Sequence, residues 1–168
     1  MNSAVISDCG LYRYRLDRDV QDEGKVFAYF GINPSTADAS LDDATVRKWR
    51  GFTLRNGGRK FIVGNVFSFR ATDVRDLDAA NRHHIPVQGP DHHSQLGQII
   101  AEADVLVACW GNSLKVDRNL RPLVRDLLSA LLASGKMVRH FGLTQSGDPK
   151  HPLMLGYDTP LLPWGIWK

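Results

Sequence analysis

Residues 25–38 read Lys-Val-Phe-Ala-Tyr-Phe-Gly-Ile-Asn-Pro-Ser-Thr-Ala-Asp, from Lys25 to Asp38. The run 25–32 is an almost unbroken apolar stretch rich in aromatics. It is too short for a helix, so it predicts a strand covered on both faces, as in a parallel sheet packed between helices. The run breaks at Gly31-Ile32-Asn33-Pro34, which sets a polar turn at the strand's carboxyl end. Gly31 permits close backbone approach, and Pro34 holds Asn33 extended and out of a helix.

The same alternation continues along the chain. Ser40 and Asp43 are spaced as a helix N-terminal cap, with Val46, Trp49 and Phe52/Thr53 at helical intervals and Asn56-Gly57-Gly58 as the stop. Residues 61–67 predict a second buried strand, 105–110 a third ending at Gly111, and 136–143 a fourth. Helices are expected over 73–81, 91–103 and 118–133, the last with Leu120, Leu123/Val124, Leu127/Leu128 and Leu131 on one face and Gly135 beyond its end. Upstream, 11–16 alternates Leu or Tyr with Arg as a half-exposed N-terminal strand would, and 17–24 is turn chemistry. The tail, 144–168, holds four of the eight prolines and predicts an ordered loop, because Leu153, Leu155, Leu161, Leu162, Trp164 and Trp167 need cover. Strands alternating with helices predict one α/β domain over residues 1–168, with a mainly parallel four-stranded central sheet, helices on both faces and the extra N-terminal strand.

Composition narrows the class. With 168 residues, 43% hydrophobic and 23% charged, the chain is too apolar for disorder, and no apolar run approaches the roughly 20 residues of a bilayer span. The first nine residues lack the basic flank and apolar stretch of a secretory signal. Cys9 and Cys109 alone support neither a disulfide framework nor a four-thiolate zinc site. A cytoplasmic protein without a membrane partner is expected. Net charge is +3, yet residues 47–82 hold nine Lys/Arg against three acids, so that segment is +6 and the remainder −3. A clustered basic face suits phosphate, although a solvated helix surface accounts for it equally well.

In parallel sheets ligands bind at the carboxyl ends of the strands. The first buried strand leads to Gly31, Asn33, Pro34 and Ser35. The Asn33 carbonyl can orient a water, or the residue can simply close an Asx-type turn. The second leads to Asn65, Phe67, Phe69 and Arg70. An Asn in an apolar strand either reads a base edge, with Phe67 or Phe69 stacking on the base, or bonds neighbouring backbone between two core phenylalanines. The third ends in Cys109-Trp110-Gly111-Asn112. The fourth leads to Lys150-His151-Pro152-Leu153, where His151 beside a lysine can donate to an oxygen that becomes anionic or serve a structural role. Asp42-Asp43 is better read as a helix cap than as a cation site. His83-His84 and His92-His93 flank a Pro/Gly loop, with no carboxylate cluster beside them. No metal and no cofactor are expected. Phosphate-binding G-x-x-x-x-G-K, G-x-S-x-G and H-E-x-x-H motifs are absent, which disfavours the common nucleoside triphosphatases, serine hydrolases and zinc proteases.

Gly31 to Asp38, Asp42-Asp43-x-Thr45, Asn65-x-Phe67-x-x-Arg70-Ala71-Thr72-Asp73 and Lys150-His151-Pro152-Leu153 together resemble the bacterial and phage domain-of-unknown-function family 1643, over nearly the whole chain from about Leu11. More distantly, the order of motifs resembles the uracil-DNA glycosylase superfamily. That resemblance implies a three-layer α/β/α sandwich around a four-stranded parallel sheet. It also implies a water-positioning role for Asn33, base reading by Asn65 and leaving-base stabilisation by His151. Ser35 stands where Gly or Tyr usually follows the proline. Leu153 stands where Ser follows His-Pro, removing one phosphate contact that Lys150 partly replaces.

The expected function is hydrolysis of an N-glycosidic bond of a normal or modified base in DNA, RNA or a nucleotide. Asn33 and His151 are the catalytic pair, and Gly31, Pro34, Ser35, Asn65, Phe67, Phe69, Arg70 and Lys150 line the substrate. Arg47, Arg50 and Arg55 hold phosphates. The alternatives are a non-catalytic nucleic-acid or nucleotide-binding module and a nucleobase-modifying enzyme that needs a second substrate.

Overall fold

Alternate residues of the buried strands are apolar on both sides, so the sheet they form needs cover on both faces. The computed structural model describes residues 1–165. Its strands are β1 (Ser3–Ile6), β2 (Arg13–Asp19), β3 (Lys25–Gly31), β4 (Gly58–Asn65), β5 (Val105–Ala108), β6 (Met137–His140) and β7 (Leu162–Pro163). The helices are α1 (Ala44–Arg55), α2 (Arg75–Arg82), α3 (His92–Glu102) and α4 (Arg121–Ala133). One seven-stranded sheet runs in the order β1-β2-β4-β3-β5-β6-β7. The four expected strands form its centre, with β4, β3, β5 and β6 mutually parallel. The expected total of four plus an N-terminal strand is too low, because β1, β2 and β7 add antiparallel flanks. Two of these flanks are short and leave little periodic pattern: β1 has four residues and β7 has two.

The two faces are covered differently. On one, Val46, Trp49 and Phe52 of α1 pack on Phe27, Tyr29, Phe61 and Val63. On the other, Leu77 of α2, Ile99 of α3 and Val124, Leu127 and Leu131 of α4 pack on Val26, Phe30, Ile62, Leu106 and Val138. Beyond β3 on the α1 side, Leu155 and Leu161 of the tail join Phe141 over Val105, Val107 and Cys109. The tail thus takes the place of a helix there, and Trp164 packs against the other face, whereas Leu153 and Leu162, expected to need cover, are exposed. Trp167 lies outside the described residues.

Two local expectations are corrected. The Leu/Tyr–Arg alternation at 11–16 does not mark a half-exposed strand: Tyr12, Arg13 and Tyr14 are all at most 7% exposed. β2 lies between β1 and β4 rather than at an edge, and loops cover the side chains of this stretch: the Tyr12 hydroxyl donates to the Pro86 carbonyl and Arg13 to the Ala37 carbonyl, both at 2.8 Å. At α1, Asp43 rather than Ser40 is the cap, its carboxylate accepting from the Val46 amide at 2.9 Å. The Ser40 hydroxyl donates to Asp38 instead.

Candidate functional site

The chain leaves β3 towards β4 on one side and later leaves β5 towards β6 on the other. The connections therefore diverge beside β3, the place where open α/β sheets form a crevice. Loops from all four parallel strands meet there around a cleft of about 510 Å³. Ile32 and Asn33 follow β3, Thr72 and Val74 follow β4, Trp110, Gly111, Asn112 and Lys115 follow β5, and Thr144, Lys150 and His151 follow β6. Ile32, Val74, Trp110 and Val116 give it an apolar floor, with Leu153 and Leu155 on one side. A second hollow of about 380 Å³ opens at the opposite end of the sheet beside Lys25 and Arg139, and it holds none of the expected residues.

Asn33 ties two loops together through its side-chain nitrogen. Its side-chain amide donates to the Ala71 carbonyl at 2.7 Å and to the Pro34 carbonyl at 3.1 Å, pinning the β3 loop to the β4 loop. With the nitrogen so committed, the Oδ1 acceptor is the part of the amide left to meet a ligand or a water. The loop 33–43 is held by two buried arginines of β2. Arg13 donates to the Ala37 carbonyl at 2.8 Å. Arg18 donates to the Asp38 and Leu41 carbonyls and, at 2.7 Å, to the Asp42 carboxylate. Burial pushes the Arg13 guanidinium down to about 10, a fall that the neighbouring Asp43 carboxylate opposes.

His151 is fixed in tautomer as well as position. Its Nδ1 accepts from the Leu153 amide at 3.2 Å, so the neutral ring carries its proton on Nε2. Burial and then nearby Lys115 hold the imidazole below its ordinary range, with Asp43 pulling the other way. Gly111 has φ +77°, and a Cβ there would come within 3.3 Å of the His151 Cβ. A glycine lets the β5 loop turn beneath the histidine. The β5 and β6 loops are joined by Asp148, whose carboxylate accepts from the Ser113 amide at 2.9 Å and its hydroxyl at 3.0 Å. That bridge seats the 3-10 turn Ser113–Lys115 and with it the ammonium-bearing Lys115.

Several expected residues are elsewhere. Asn65 is 5% exposed and lies on the α1 face, its Oδ1 2.9 Å from where a Gly31 Cβ would stand and near the Trp49 ring. Gly31 is therefore required by the Asn65 amide. Pro34 is buried and Ser35 half-buried, neither lining the cleft. Phe67 is fully buried in the core under the three-helix face, and Phe69 packs edge-on against Tyr12 at 6.1 Å. Phe67 is thereby not free to stack on a base, and Phe69 is half-buried against the same core and stands outside the cleft. Arg70 reaches the Gly10 carbonyl on the β1–β2 turn, outside the cleft.

The three arginines expected to hold phosphate are engaged with protein. Arg47 donates to the Asp42 carbonyl at 2.6 Å, Arg50 to the Asp19 carbonyl at 2.8 Å, and Arg55 lies 5.4 Å above the Tyr157 ring. The cations of the cleft are instead Lys150, as expected, and Lys115, which the charge pattern did not single out. Its position just after a buried strand's carboxyl end was the signal available. His83, His84 and His93 are exposed, while His92 is buried. Among the described residues no group of three or more His, Cys, Asp or Glu could hold a metal, and no helix is long and apolar enough to cross a membrane.

In comparisons with known proteins, one family matches, over residues 13–153, under the description "Protein of unknown function (DUF1643)". No curated protein matches, and no solved structure does.

Proposed function

Since the chain belongs to the DUF1643 family, whose description carries no reaction, we propose a function from its cleft: binding a nucleotide or nucleic-acid base and hydrolysing its N-glycosidic bond. The observation that carries this reading is that Asn33 and His151, far apart in sequence, line the same cleft with Lys115 and Lys150. The Asn33 Oδ1 accepts a hydrogen bond from water and aims its oxygen at the sugar C1′. As the new C–O bond forms, the C1′–N bond breaks and its electron pair leaves with the base, while the proton shed by the attacking water passes to solvent, from which the base anion is protonated. The His151 Nε2–H donates to the anion that develops on that base, and a neutral imidazole keeps this donor without itself needing discharge. Lys115 and Lys150 meet phosphate, and the apolar floor around Trp110 covers the base or sugar.

The test is mass-spectrometric detection of free base from single- and double-stranded DNA carrying uracil, hypoxanthine or phage-type modified pyrimidines. Release by wild type and none by Asn33→Ala supports the mechanism; equal release by both refutes it. A second reading, a binding module without chemistry, is favoured by Asn65, Phe67 and Phe69, which stand away from the cleft. It predicts salt-sensitive binding with no base released.

A further inference from the structure

We infer that residues 152–161 form a strap that holds His151 in the cleft, and that Tyr157, seated on α1, is the positioning residue that sets it. The inference rests on the reading of His151 as a group that meets ligand. It begins with Gly51, which stands in the middle of α1, where glycine weakens a helix. Gly51 has no positive φ to require it. The Tyr157 ring supplies the reason: a Cβ on Gly51 would come within 2.3 Å of Tyr157 Cε1.

The seat is built from one helix face. Lys48, Gly51, Phe52 and Arg55 follow i, i+3, i+4, i+7 spacing, so they share a stripe of α1. The Lys48 ammonium lies 4.4 Å from the Tyr157 ring centroid and the Arg55 guanidinium 5.4 Å from it. The Phe52 ring meets Tyr157 edge-on at 5.2 Å. Lys48 also donates to the Leu155 carbonyl at 2.6 Å, gripping the strap a second time. Arg55, expected to hold phosphate, instead meets Tyr157 here and stands outside the cleft.

The strap belongs to no helix or strand before β7. Its internal bonds are local, Leu155 N–H to the Pro152 carbonyl and Thr159 N–H to the Gly156 carbonyl, both at 3.0 Å. With no ladder to fix it, its path is set by where it is tied down. Upstream of His151, the Lys150 amide donates to the Gly142 carbonyl at 2.9 Å; downstream, the first ties are Lys48 and Tyr157 on α1, before Arg139 of β6 donates to the Leu161 carbonyl at 3.2 Å at the far end of the strap. His151, Leu153 and Leu155, between these ties, all line the cleft.

The experiment follows the His151 ring by NMR in protein with ¹³C-labelled histidine, its signals assigned with a His151→Gln variant. In wild type the ring titrates below the ordinary value of about 6.5, through burial and Lys115, with Asp43 opposing. Tyr157→Ala is expected to raise that midpoint towards the ordinary value. Tyr157→Phe, which keeps the ring, is expected to restore wild-type behaviour, as loss of fold would not. Gly51→Ala improves the helix yet unseats the ring, so it is expected to shift His151 in the same direction as Tyr157→Ala. Lys48→Met does so by releasing Leu155, and serves if Tyr157→Ala does not fold. An unchanged His151 midpoint in both Gly51→Ala and Lys48→Met overturns the inference. The readout needs no substrate, so failure of base release and failure of the strap are told apart.

Discussion

Replacing Asn33 separates its anchoring role from any chemistry. Its amide makes two hydrogen bonds, to the Ala71 and Pro34 carbonyls. Each such bond contributes about 0.5–1.5 kcal/mol net, so Asn33→Ala should cost roughly 1–3 kcal/mol. For a chain of this size that is a fall in Tm of roughly 2–12 °C, at about 2–4 °C per kcal/mol. Asn33→Asp sharpens the test. A carboxylate has no hydrogen to donate and sets negative charge against two carbonyl oxygens, so at pH 7 it should be less stable than the alanine variant. Protonated, the same side chain regains one donor. Its folded-state pKa is therefore raised, and its deficit relative to wild type should shrink as pH falls towards 4. The measurement is thermal unfolding of wild type and both variants at pH 7 and pH 4, each variant compared with wild type at the same pH. An Asn33→Ala protein melting within 1 °C of wild type, with Asn33→Asp indifferent to pH, would refute the anchoring argument.

Other expectations follow from burial and charge. Phe67→Ala, at a fully buried core position, should lose about 3–5 kcal/mol in urea unfolding, where a ligand-stacking ring would lose affinity instead. His92 is buried and, with His93 close by, its imidazolium is pushed down to about 4. The unfolded chain therefore binds a proton that the folded chain refuses, and stability falls as pH drops from about 6.5 to about 4. That loss should be on the order of 3 kcal/mol, and His92→Leu should flatten it in urea titrations across this range. Arg18→Met, which removes the donors to Asp38, Leu41 and Asp42 and to the Ser3 and Asp17 carbonyls, should cost about 3–5 kcal/mol, as breaking a buried ion pair does. Faster amide hydrogen exchange in residues 38–43, with exchange in β4 unchanged, would locate that loss in the loop.

The parallel centre of the sheet was legible because each of its strands is a short apolar run closed by glycine or a polar turn, and burial on both faces writes itself directly into composition. The strand-end rule then pointed to Asn33 and to His151, which do share a cleft. Charge was a poorer guide. The basic segment 47–82 lies partly on α1, where Arg47, Arg50 and Arg55 meet Asp42, Asp19 and Tyr157. Sequence records that a cation is present but not which partner it meets.

Period alone could not separate the ring that stacks from the ring that packs, so Phe67 and Phe69 looked available until the three-helix face was seen to cover them. Nor could it show that Arg13 and Arg18 of β2 are interior, because their burial depends on the loop 33–43 folding over them. Local chemistry therefore determined the central strands, the helices and the residues at the strand ends. Only the tertiary structure decided which of those residues share a cleft, since that depends on strand order and on loops that meet across the sheet.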